Sequence, residues 1–200
     1  NVTINKLVLH ALDNKTVKGS AIAQQALAGV LTTVYGHSEY IELMNRYEIK
    51  TQNNQLLQLA IDKPNYSVGR DAAGLLFKFG GSNLIWAIMN GKEAAKQDSL
   101  LIAIAGVGST ASIDMLQTIA LSTKYSADLN TKAAQKIGKS WAGEERVLAI
   151  LKAKKVPAKL IPAVVASVSG AWRESIRSEA ASYLPDDGKT TAGKAAPVLK

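Results

Sequence analysis

The sequence predicts an all-α fold of stacked antiparallel helix pairs, and three observations lead to this prediction. Apolar residues recur at the i, i+3, i+4, i+7 spacing of an amphipathic helix along nearly the whole chain. Short glycine-containing connections separate these segments, and similar helix ends recur at intervals of about thirty residues. Alternation of polar and apolar residues over the length of a strand is almost absent.

The apolar stripes predict a first helix over Val2–Leu9 and eleven more further along the chain. In chain order these are Val17–Tyr35, Ser38–Ile49, Asn53–Ile61, Val68–Phe79, Asn83–Met89, Lys92–Val107, Ser112–Leu121, Asn130–Trp141, Glu144–Lys154, Pro157–Trp172 and Glu174–Leu184. We expect one continuous core that begins at Ile22 and ends at Leu184.

The connections carry residues suited to turns. The glycines at predicted helix ends, where a positive φ is useful, are Gly36, Gly80, Gly81, Gly91, Gly108 and Gly143. The candidate N-caps that follow are Ser38, Ser82, Ser109 and Thr110. Pro162 is predicted either to kink its helix or to mark the true start of that helix.

The spacing of the helix ends indicates a repeat. Gly80 and Gly108 are 28 positions apart, and Trp141 and Trp172 are 31 apart. Repeated helix pairs with a period near thirty are typical of an α-solenoid, in which each pair stacks on the next. Because the period drifts and is not a fixed 34 residues, the pattern favours a HEAT-like solenoid. A compact helical bundle is the alternative architecture.

We expect residues 1–185 to form this repeat domain and residues 186–200 to be a linker. Helical periodicity stops at Leu184, and the residues from Pro185 onward have the composition of a linker. The chain starts at Asn1 rather than Met, and its first segment lacks a signal-peptide pattern. We therefore expect a piece of a longer protein, with the linker leading to a downstream domain.

Composition and charge exclude several classes of protein. With 47% hydrophobic and 20% charged residues, the chain is neither disordered nor fibrous. No apolar run approaches the ~20 residues of a membrane span, and the absence of cysteine excludes disulfides, zinc–thiolate sites and covalent haem attachment within the chain.

The net charge is +1 over residues 1–123 and +7 over residues 124–200. Such a basic half can attract nucleic acid, anionic lipid or an acidic protein face, or can simply be a solvated surface.

The sequence offers no catalytic or metal-binding constellation. His10 and His37 lie on different elements, without a partner at the spacing of metal ligands. Glu39 and Glu42 could bind a metal only with ligands from elsewhere, and Glu144–Glu145 is explained by the start of a helix. We therefore predict that this chain is not an enzyme and holds no metal or cofactor of its own.

Two sets of residues are candidates for interaction. The first is a docking surface of seven lysines, the first three of which are predicted to share one helix face: Lys132, Lys136, Lys139, Lys152, Lys154, Lys155 and Lys159. The second is Trp141 and Trp172, each predicted to end the second helix of its pair and to fill the joint to the next repeat. Such packing predicts a loss of about 3–5 kcal/mol for Trp141→Ala.

Four short stretches of the chain resemble the HEAT-repeat segment of large bacterial cell-envelope proteins of the Bacteroidetes and planctomycete type. They are Gly69–Gly74, Ser140–Glu145, Ala171–Arg173 and Ser182–Pro185, and the likeness covers roughly residues 40–185. In those proteins a C-terminal cytochrome c domain with a Cys-x-x-Cys-His haem site follows the repeats. The resemblance implies a periplasmic or cell-envelope location, with haem c in a downstream domain and none here.

The resemblance also implies a function, namely a non-catalytic scaffold or docking domain of an envelope redox or sugar-processing protein. Its partners would be other domains of the same protein or an acidic protein. The alternative is a basic HEAT-like DNA-binding protein or DNA alkylation glycosylase, a class that holds DNA on a basic concave face. The charge of residues 124–200 and the two tryptophans favour this alternative. The lack of a coherent Trp/Asp/Arg group opposes it, so nucleic acid is not the expected partner.

Overall fold

The computed structural model describes residues 2–185, and every regular element within them is a helix. The all-α prediction is therefore confirmed for this part of the chain. Its contacts divide the chain into two compact units, with the division between Ala103 and Ile104. We call them unit 1 and unit 2 and describe each by itself. Residues 186–200, predicted as a linker, lie outside the described residues.

Unit 1 contains seven complete helices. They are α1 (Val2–Ala11), α2 (Asn14–Gly19), α3 (Ala21–Val34), α4 (Ser38–Arg46), α5 (Asn53–Asp62), α6 (Ser67–Lys78) and α7 (Ser82–Met89). An eighth helix, α8 (Ala94–Val107), contains the division between the units. Within unit 1, α1 and α2 pack on α3, α3 on α4, α4 on α6, and α5 on both α6 and α7.

The predicted Val17–Tyr35 helix is two helices, because Ser20 interrupts it. Ser20 has an extended backbone, and its hydroxyl accepts a hydrogen bond from the Ala23 N–H at 3.3 Å. It is therefore the N-cap of α3. In the same way, Asp13 accepts a hydrogen bond from the Thr16 N–H at 2.6 Å, which starts α2 and lowers the pKa of the Asp13 carboxyl.

The core of unit 1 comes from one side of each helix. On α3 the buried side chains are Leu27, Val30, Leu31 and Val34. Ile22 was predicted to begin the core, and this prediction is wrong because its side chain is 82% exposed. It lies outside the stripe of α3 that carries the buried residues.

Unit 2 contains five complete α-helices and a short 3₁₀ turn. They are α9 (Thr110–Leu121), α10 (Ala127–Ala134), α11 (Trp141–Lys152), the 3₁₀ turn Ala158–Leu160, α12 (Ile161–Ser167) and α13 (Glu174–Ala181). Besides neighbours in the chain, alternate helices pack together: α9 on α11, α11 on α13, and α10 on α12.

Serine N-caps start three of these helices. Ser109, Ser126 and Ser140 each accept a hydrogen bond at 3.2 Å from the backbone N–H three residues later. The prediction for Ser109 is confirmed. Ser38, Ser82 and Thr110 are instead the first residues of their helices, so those three predictions are wrong.

Two predicted helices in unit 2 have different bounds. The segment Asn130–Trp141 is not one helix, because α10 ends at Ala134 and turns follow until α11 starts. In the segment Pro157–Trp172, only Ile161–Ser167 is α-helical. Pro162 lies in the first turn of that helix, where a missing N–H costs nothing, so the prediction that it marks the true start is confirmed.

Three of the glycines expected at helix ends have a positive φ. The values are 81° at Gly36, 76° at Gly80 and 66° at Gly108, in the left-handed region that glycine tolerates best. Across residues 2–185, no single helix is long and apolar enough to cross a membrane. Only α6 and α7 together meet that length and composition, and a bend of 111° separates them.

Candidate interaction surfaces

The predicted lysine surface is built differently from the prediction. Lys132 lies on α10, but Lys136 and Lys139 follow the end of that helix and lie in the turns before α11. The prediction that the three share one helix face is therefore wrong. Helix α10 ends early because the backbone that follows it forms hydrogen bonds between residues three positions apart. Among them are Lys136 N–H to the Ala133 carbonyl and Lys139 N–H to the Lys136 carbonyl.

Gly138 holds these turns tightly against α12. Its N–H donates to the Ser167 hydroxyl at 3.2 Å, and a Cβ at this position would overlap Val168. The Ser167 hydroxyl donates in turn to the Val164 carbonyl at 2.6 Å. Lys136 and Lys139 consequently project from a segment with a fixed backbone rather than from a loose loop.

Lys132 and Lys152 each form an ion pair within unit 2. Lys132 contacts Asp128 one helical turn earlier at 2.8 Å, and Lys152 contacts Glu179 of α13 at 2.8 Å. The hydrogen bond and the charge of Glu179 raise the pKa of Lys152. These pairs lower the net charge that the surface presents to a partner.

Lys154, Lys155 and Lys159 follow the end of α11. Lys154 has a φ of 54°, and its N–H and that of Lys155 donate to the Leu151 and Ile150 carbonyls to close the helix. Lys159 lies in the 3₁₀ turn, which packs against α10. Positive charge at a helix C-terminus is favoured by the helix dipole, so local stability accounts for part of this cluster.

Trp141 and Trp172 do not fill joints between repeats. Trp141 is the first residue of α11 and is 63% exposed, and Trp172 lies between α12 and α13 and is 89% exposed. The prediction is wrong because the helices predicted to end at these residues end seven and five residues earlier, at Ala134 and Ser167. None of the buried side chains in the described part of unit 2 is aromatic.

Arg173 links Trp141 to a buried carboxylate. Its guanidinium lies 3.8 Å from the centre of the Trp141 ring and contacts Glu144 at 2.8 Å and 2.9 Å through two nitrogens. It also contacts Glu145 and donates to the Trp141 carbonyl at 3.3 Å. Partial burial lowers the pKa of Arg173, but the hydrogen bonds that its guanidinium donates to Glu145 and Glu144 outweigh this effect, so the pKa is raised.

Tertiary packing creates one cluster that the sequence spacing does not reveal. His10 of α1 lies 3.9 Å from Glu39 and 3.7 Å from Glu42 of α4. Lys6 contacts Glu39 at 2.7 Å, so an ammonium group already neutralises this carboxylate. No group of three or more His, Cys, Asp or Glu within residues 2–185 has the arrangement of a metal site.

Two buried amide side chains, also missed at the sequence level, cap the ends of preceding helices. Gln97 of α8 donates to the Ile88, Met89 and Gly91 carbonyls at the end of α7. In unit 2, Asn130 of α10 donates to the Ile119 and Ser122 carbonyls at 2.6 and 3.0 Å. The two residues are 33 positions apart in the sequence and 9% and 7% exposed. The signal in the sequence is a lone amide in an apolar helix stripe.

No family model, curated protein or solved structure matches this chain. The residues present do not fit a covalently attached haem, because the sequence has no cysteine to form the thioether links.

Proposed function

We propose that this chain is a HEAT-like helical-repeat scaffold that serves as a docking domain within a larger cell-envelope protein. The observation that carries the proposal is the alternate packing in unit 2, where α9, α11 and α13 form one row and α10 and α12 another. In an α-solenoid each helix packs on its counterpart in the next pair, whereas a compact bundle has no such requirement.

Bonds between neighbouring pairs support the same repeat. Arg146 of α11 contacts Asp114 of α9 at 2.5 Å and Gln117 at 2.8 Å, and Arg173 contacts Glu144 in the corresponding way. The residues joined by these bonds are 29 to 32 positions apart, which is the spacing of the repeat in the sequence. The helix-end caps made by Gln97 and Asn130 recur at nearly the same interval.

The basic turns of unit 2 suit an acidic protein partner. Lys136 and Lys139 are held by the Gly138 contact, and Lys139, Lys154, Lys155 and Lys159 are exposed. Exposed ion pairs contribute only about 0–1 kcal/mol each, so this surface would steer and orient a partner more than hold it. An enzymatic role is not part of the proposal, because the polar clusters described above are bound to structural partners.

A charge-reversal experiment tests the docking role. We expect the full chain to bind a poly-glutamate peptide, and Lys139→Glu with Lys155→Glu and Lys159→Glu to weaken this binding at least tenfold. The matched control reverses three exposed lysines of unit 1, Lys15, Lys50 and Lys92, and should weaken binding far less. Equal loss in both variants would mean that only net charge matters, and no specific docking surface exists.

The exposed tryptophans favour a second candidate function, the binding of nucleic acid. Trp172 is 89% exposed and follows the basic turns in unit 2, and Trp141 carries a stacked arginine. Aromatic side chains with neighbouring cations can stack on bases. Around them, however, Glu144, Glu145 and Glu174 offset Arg173 and Arg177, which makes this end of the unit a poor site for phosphates.

The same binding assay separates the two candidates. Nucleic-acid binding should fall steeply between 50 and 200 mM salt, by a factor of roughly 10³ or more if six phosphates are contacted, and Trp172→Ala should reduce it further. Docking to an acidic protein face should depend on the lysines and not on Trp172. Duplex DNA bound more tightly than poly-glutamate would overturn the docking proposal in favour of the second.

A further inference from the structure

A cavity in unit 1 lies between the end of α3, the start of α4 and the start of α5. Its volume is about 370 Å³, within the range of about 300–1,000 Å³ that is typical of small-molecule sites. The residues that line it are all uncharged, and they are Leu31, Thr32, Tyr35, Tyr40, Gln52 and Gln55. Apolar and aromatic walls with a few polar groups are the usual composition of a site for a small organic ligand.

Two tyrosines form an aromatic wall of this cavity. The rings of Tyr35 and Tyr40 meet edge to face, with their centroids 5.3 Å apart and an angle of 81° between their planes. Tyr40 is 1% exposed, whereas Tyr35 is 41% exposed. Burial, and to a smaller extent the charge of Asp62, raise the pKa of Tyr35, so its hydroxyl keeps its proton at neutral pH. A third aromatic ring can extend such a pair by an offset-stacked or edge-to-face contact.

Two glutamines supply the polar groups of the cavity. The Tyr40 hydroxyl donates to Gln52 Oε1 at 2.6 Å, which fixes the orientation of this amide and leaves Gln52 Nε2 as a donor. Within residues 2–185, neither Gln52 Nε2 nor the Gln55 amide has a hydrogen-bond partner. Gln55 is the third residue of α5 and lies three positions after Gln52, so both side chains are on the same side of the helix.

We propose that this cavity, which we call the tyrosine–glutamine cavity, binds a small neutral aromatic carboxamide. The aromatic ring of the ligand packs against Tyr35. Its amide carbonyl accepts a hydrogen bond from Gln52 Nε2, and its amide N–H donates to Gln55 Oε1. The proposal concerns unit 1 and is independent of the docking surface of unit 2.

The lining of the cavity disfavours other classes of ligand. A charged group would lose hydration without meeting an opposite charge among the six lining side chains. An anion would in addition be repelled by Asp62, whose charge already raises the pKa of Tyr35. A ring without polar atoms would take water away from the oriented Gln52 N–H and leave this donor unsatisfied. A neutral carboxamide supplies both the acceptor and the donor that the two glutamines require.

Benzamide is the probe that tests the proposal on the full chain. In NMR spectra of ¹⁵N-labelled protein, the side-chain amide signals of Gln52 and Gln55 should shift on addition of benzamide. We expect a Kd on the order of 1 mM, since the probe has few atoms to contribute binding energy. Benzoate and benzamidine have the same shape but carry a negative and a positive charge, so they should bind about tenfold more weakly or worse. Cyclohexanecarboxamide keeps the amide without the aromatic ring and should bind about fivefold more weakly.

Two substitutions test the assigned contacts, and both are at exposed side chains, so the fold should be kept. Tyr35→Ala removes the ring contact and should weaken benzamide binding about tenfold. Gln55→Met keeps the shape of the side chain without its hydrogen bonds and should weaken binding about fivefold. The matched controls are Tyr66→Ala and Gln25→Met, at an exposed tyrosine and an exposed glutamine of unit 1 that do not line the cavity. They should leave the Kd unchanged.

Several results would overturn the proposal. Unchanged Gln52 and Gln55 signals at about ten times the expected Kd would show that the cavity does not take this class of ligand. Benzoate or benzamidine binding as tightly as benzamide would show that a neutral amide is not what the cavity selects. A Kd for benzamide that is the same in Tyr35→Ala and Gln55→Met as in the wild type would place the ligand elsewhere. The comparison of the four ligands on the wild-type chain keeps the test valid if a variant disturbs folding.

Discussion

Units 1 and 2 differ in the buried side chains that join their helices, although ion pairs between helices such as Lys6 with Glu39 occur in unit 1 as well. In unit 1, buried tyrosines reach across helices: the Tyr47 hydroxyl donates to the Leu9 carbonyl at the end of α1, and the Tyr40 hydroxyl donates to Gln52 at 2.6 Å. In the described part of unit 2 no aromatic side chain is buried. There the corresponding bonds are ion pairs between alternate helices, such as Arg146 with Asp114 and Arg173 with Glu144.

This difference affects how tightly each unit constrains its side chains. Ion pairs at the surface of alternate helices impose few demands on the volume of the core. Buried tyrosines need a partner at one fixed place, because an unsatisfied buried hydroxyl is costly. Unit 1 is also the less regular in sequence, since Gly36 and Gly80 are 44 positions apart whereas Gly80 and Gly108 are 28 apart.

The largest expected effect comes from a glycine near the start of one helix in each unit, where a neighbouring backbone carbonyl leaves no room for a side chain. Gly69 and Gly143 are each the third residue of a helix, and a Cβ there would overlap the carbonyl oxygen six residues earlier, of Lys63 and Ile137 respectively. We expect Gly69→Ala and Gly143→Ala each to lower the free energy of unfolding by about 3 kcal/mol, since backbone must move to admit the methyl group. Urea denaturation measures this loss.

The control is Gly19→Ala, at the end of α2, where a Cβ would meet nothing within 4 Å. Alanine is the better helix former by up to about 1 kcal/mol, so this variant should be as stable as the wild type or more so. If Gly69→Ala or Gly143→Ala were as stable as Gly19→Ala, the glycine would not be packed against the carbonyl oxygen in that unit. The two units would then not share this contact.

The next effect separates the units. Arg173→Ala should destabilise unit 2, because it leaves the Glu144 carboxylate, 8% exposed, without its cation. A buried acceptor that loses its partner costs about 1–3 kcal/mol. Arg146→Ala is the matched control, since its partner Asp114 is half-exposed and can be solvated, and its loss should be clearly smaller. Thermal unfolding of both variants measures the difference, and equal losses would contradict the role given to burial.

A smaller effect belongs to unit 1 and appears at high pH. Burial raises the pKa of Tyr40 from 10.0 to about 12. Between these values the unfolded chain loses the Tyr40 proton while the folded chain retains it. The contribution of this group to stability is therefore complete below pH 10 and is lost as the pH rises through about 12. Tyr40→Phe should abolish this part of the alkaline loss and should cost about 1 kcal/mol at neutral pH for the missing hydrogen bond.

The control for this titration is Tyr66→Phe, whose side chain is 68% exposed. It should leave both the stability at neutral pH and its alkaline decline unchanged. Stability is measured by urea denaturation at pH 8, 10 and 11.5. An alkaline decline of the same size in Tyr40→Phe as in the wild type would assign the decline to other groups.

Periodicity in the sequence predicts the helices well but their ends less well. The stripe that ends at Val34 and the positive φ of Gly36 follow from local spacing, which a helix obeys wherever it packs. The break at Ser20 and the early end of α10 depend on hydrogen bonds that compete with helix continuation, and these leave the apolar pattern unchanged.

The candidate surfaces were harder to predict, because they depend on which side of a helix meets a neighbour. Ile22 satisfies the helical spacing and still lies outside the buried stripe. The contact of His10 with Glu39 joins two helices far apart in the chain. The exposure and the contacts of such residues depend on the three-dimensional packing. The sequence therefore shows which chemical groups are present but not what surrounds them.

The smallest expected effect is that of Trp172→Ala in unit 2. A fully buried tryptophan would cost about 3–5 kcal/mol on truncation, but this side chain is 89% exposed and only its backbone is held, by a hydrogen bond from Arg177 to its carbonyl at 3.1 Å. We expect a change in stability within about 0.5 kcal/mol, as for other surface substitutions. Trp141→Ala should cost more, because it removes the ring on which Arg173 is stacked, and in doing so it loosens the cation that compensates Glu144. Denaturation of the two variants side by side measures this difference. A large loss for Trp172→Ala alone would show that a partner surface covers the ring in solution and that the ion pairs of unit 2 are not what joins its last two helices.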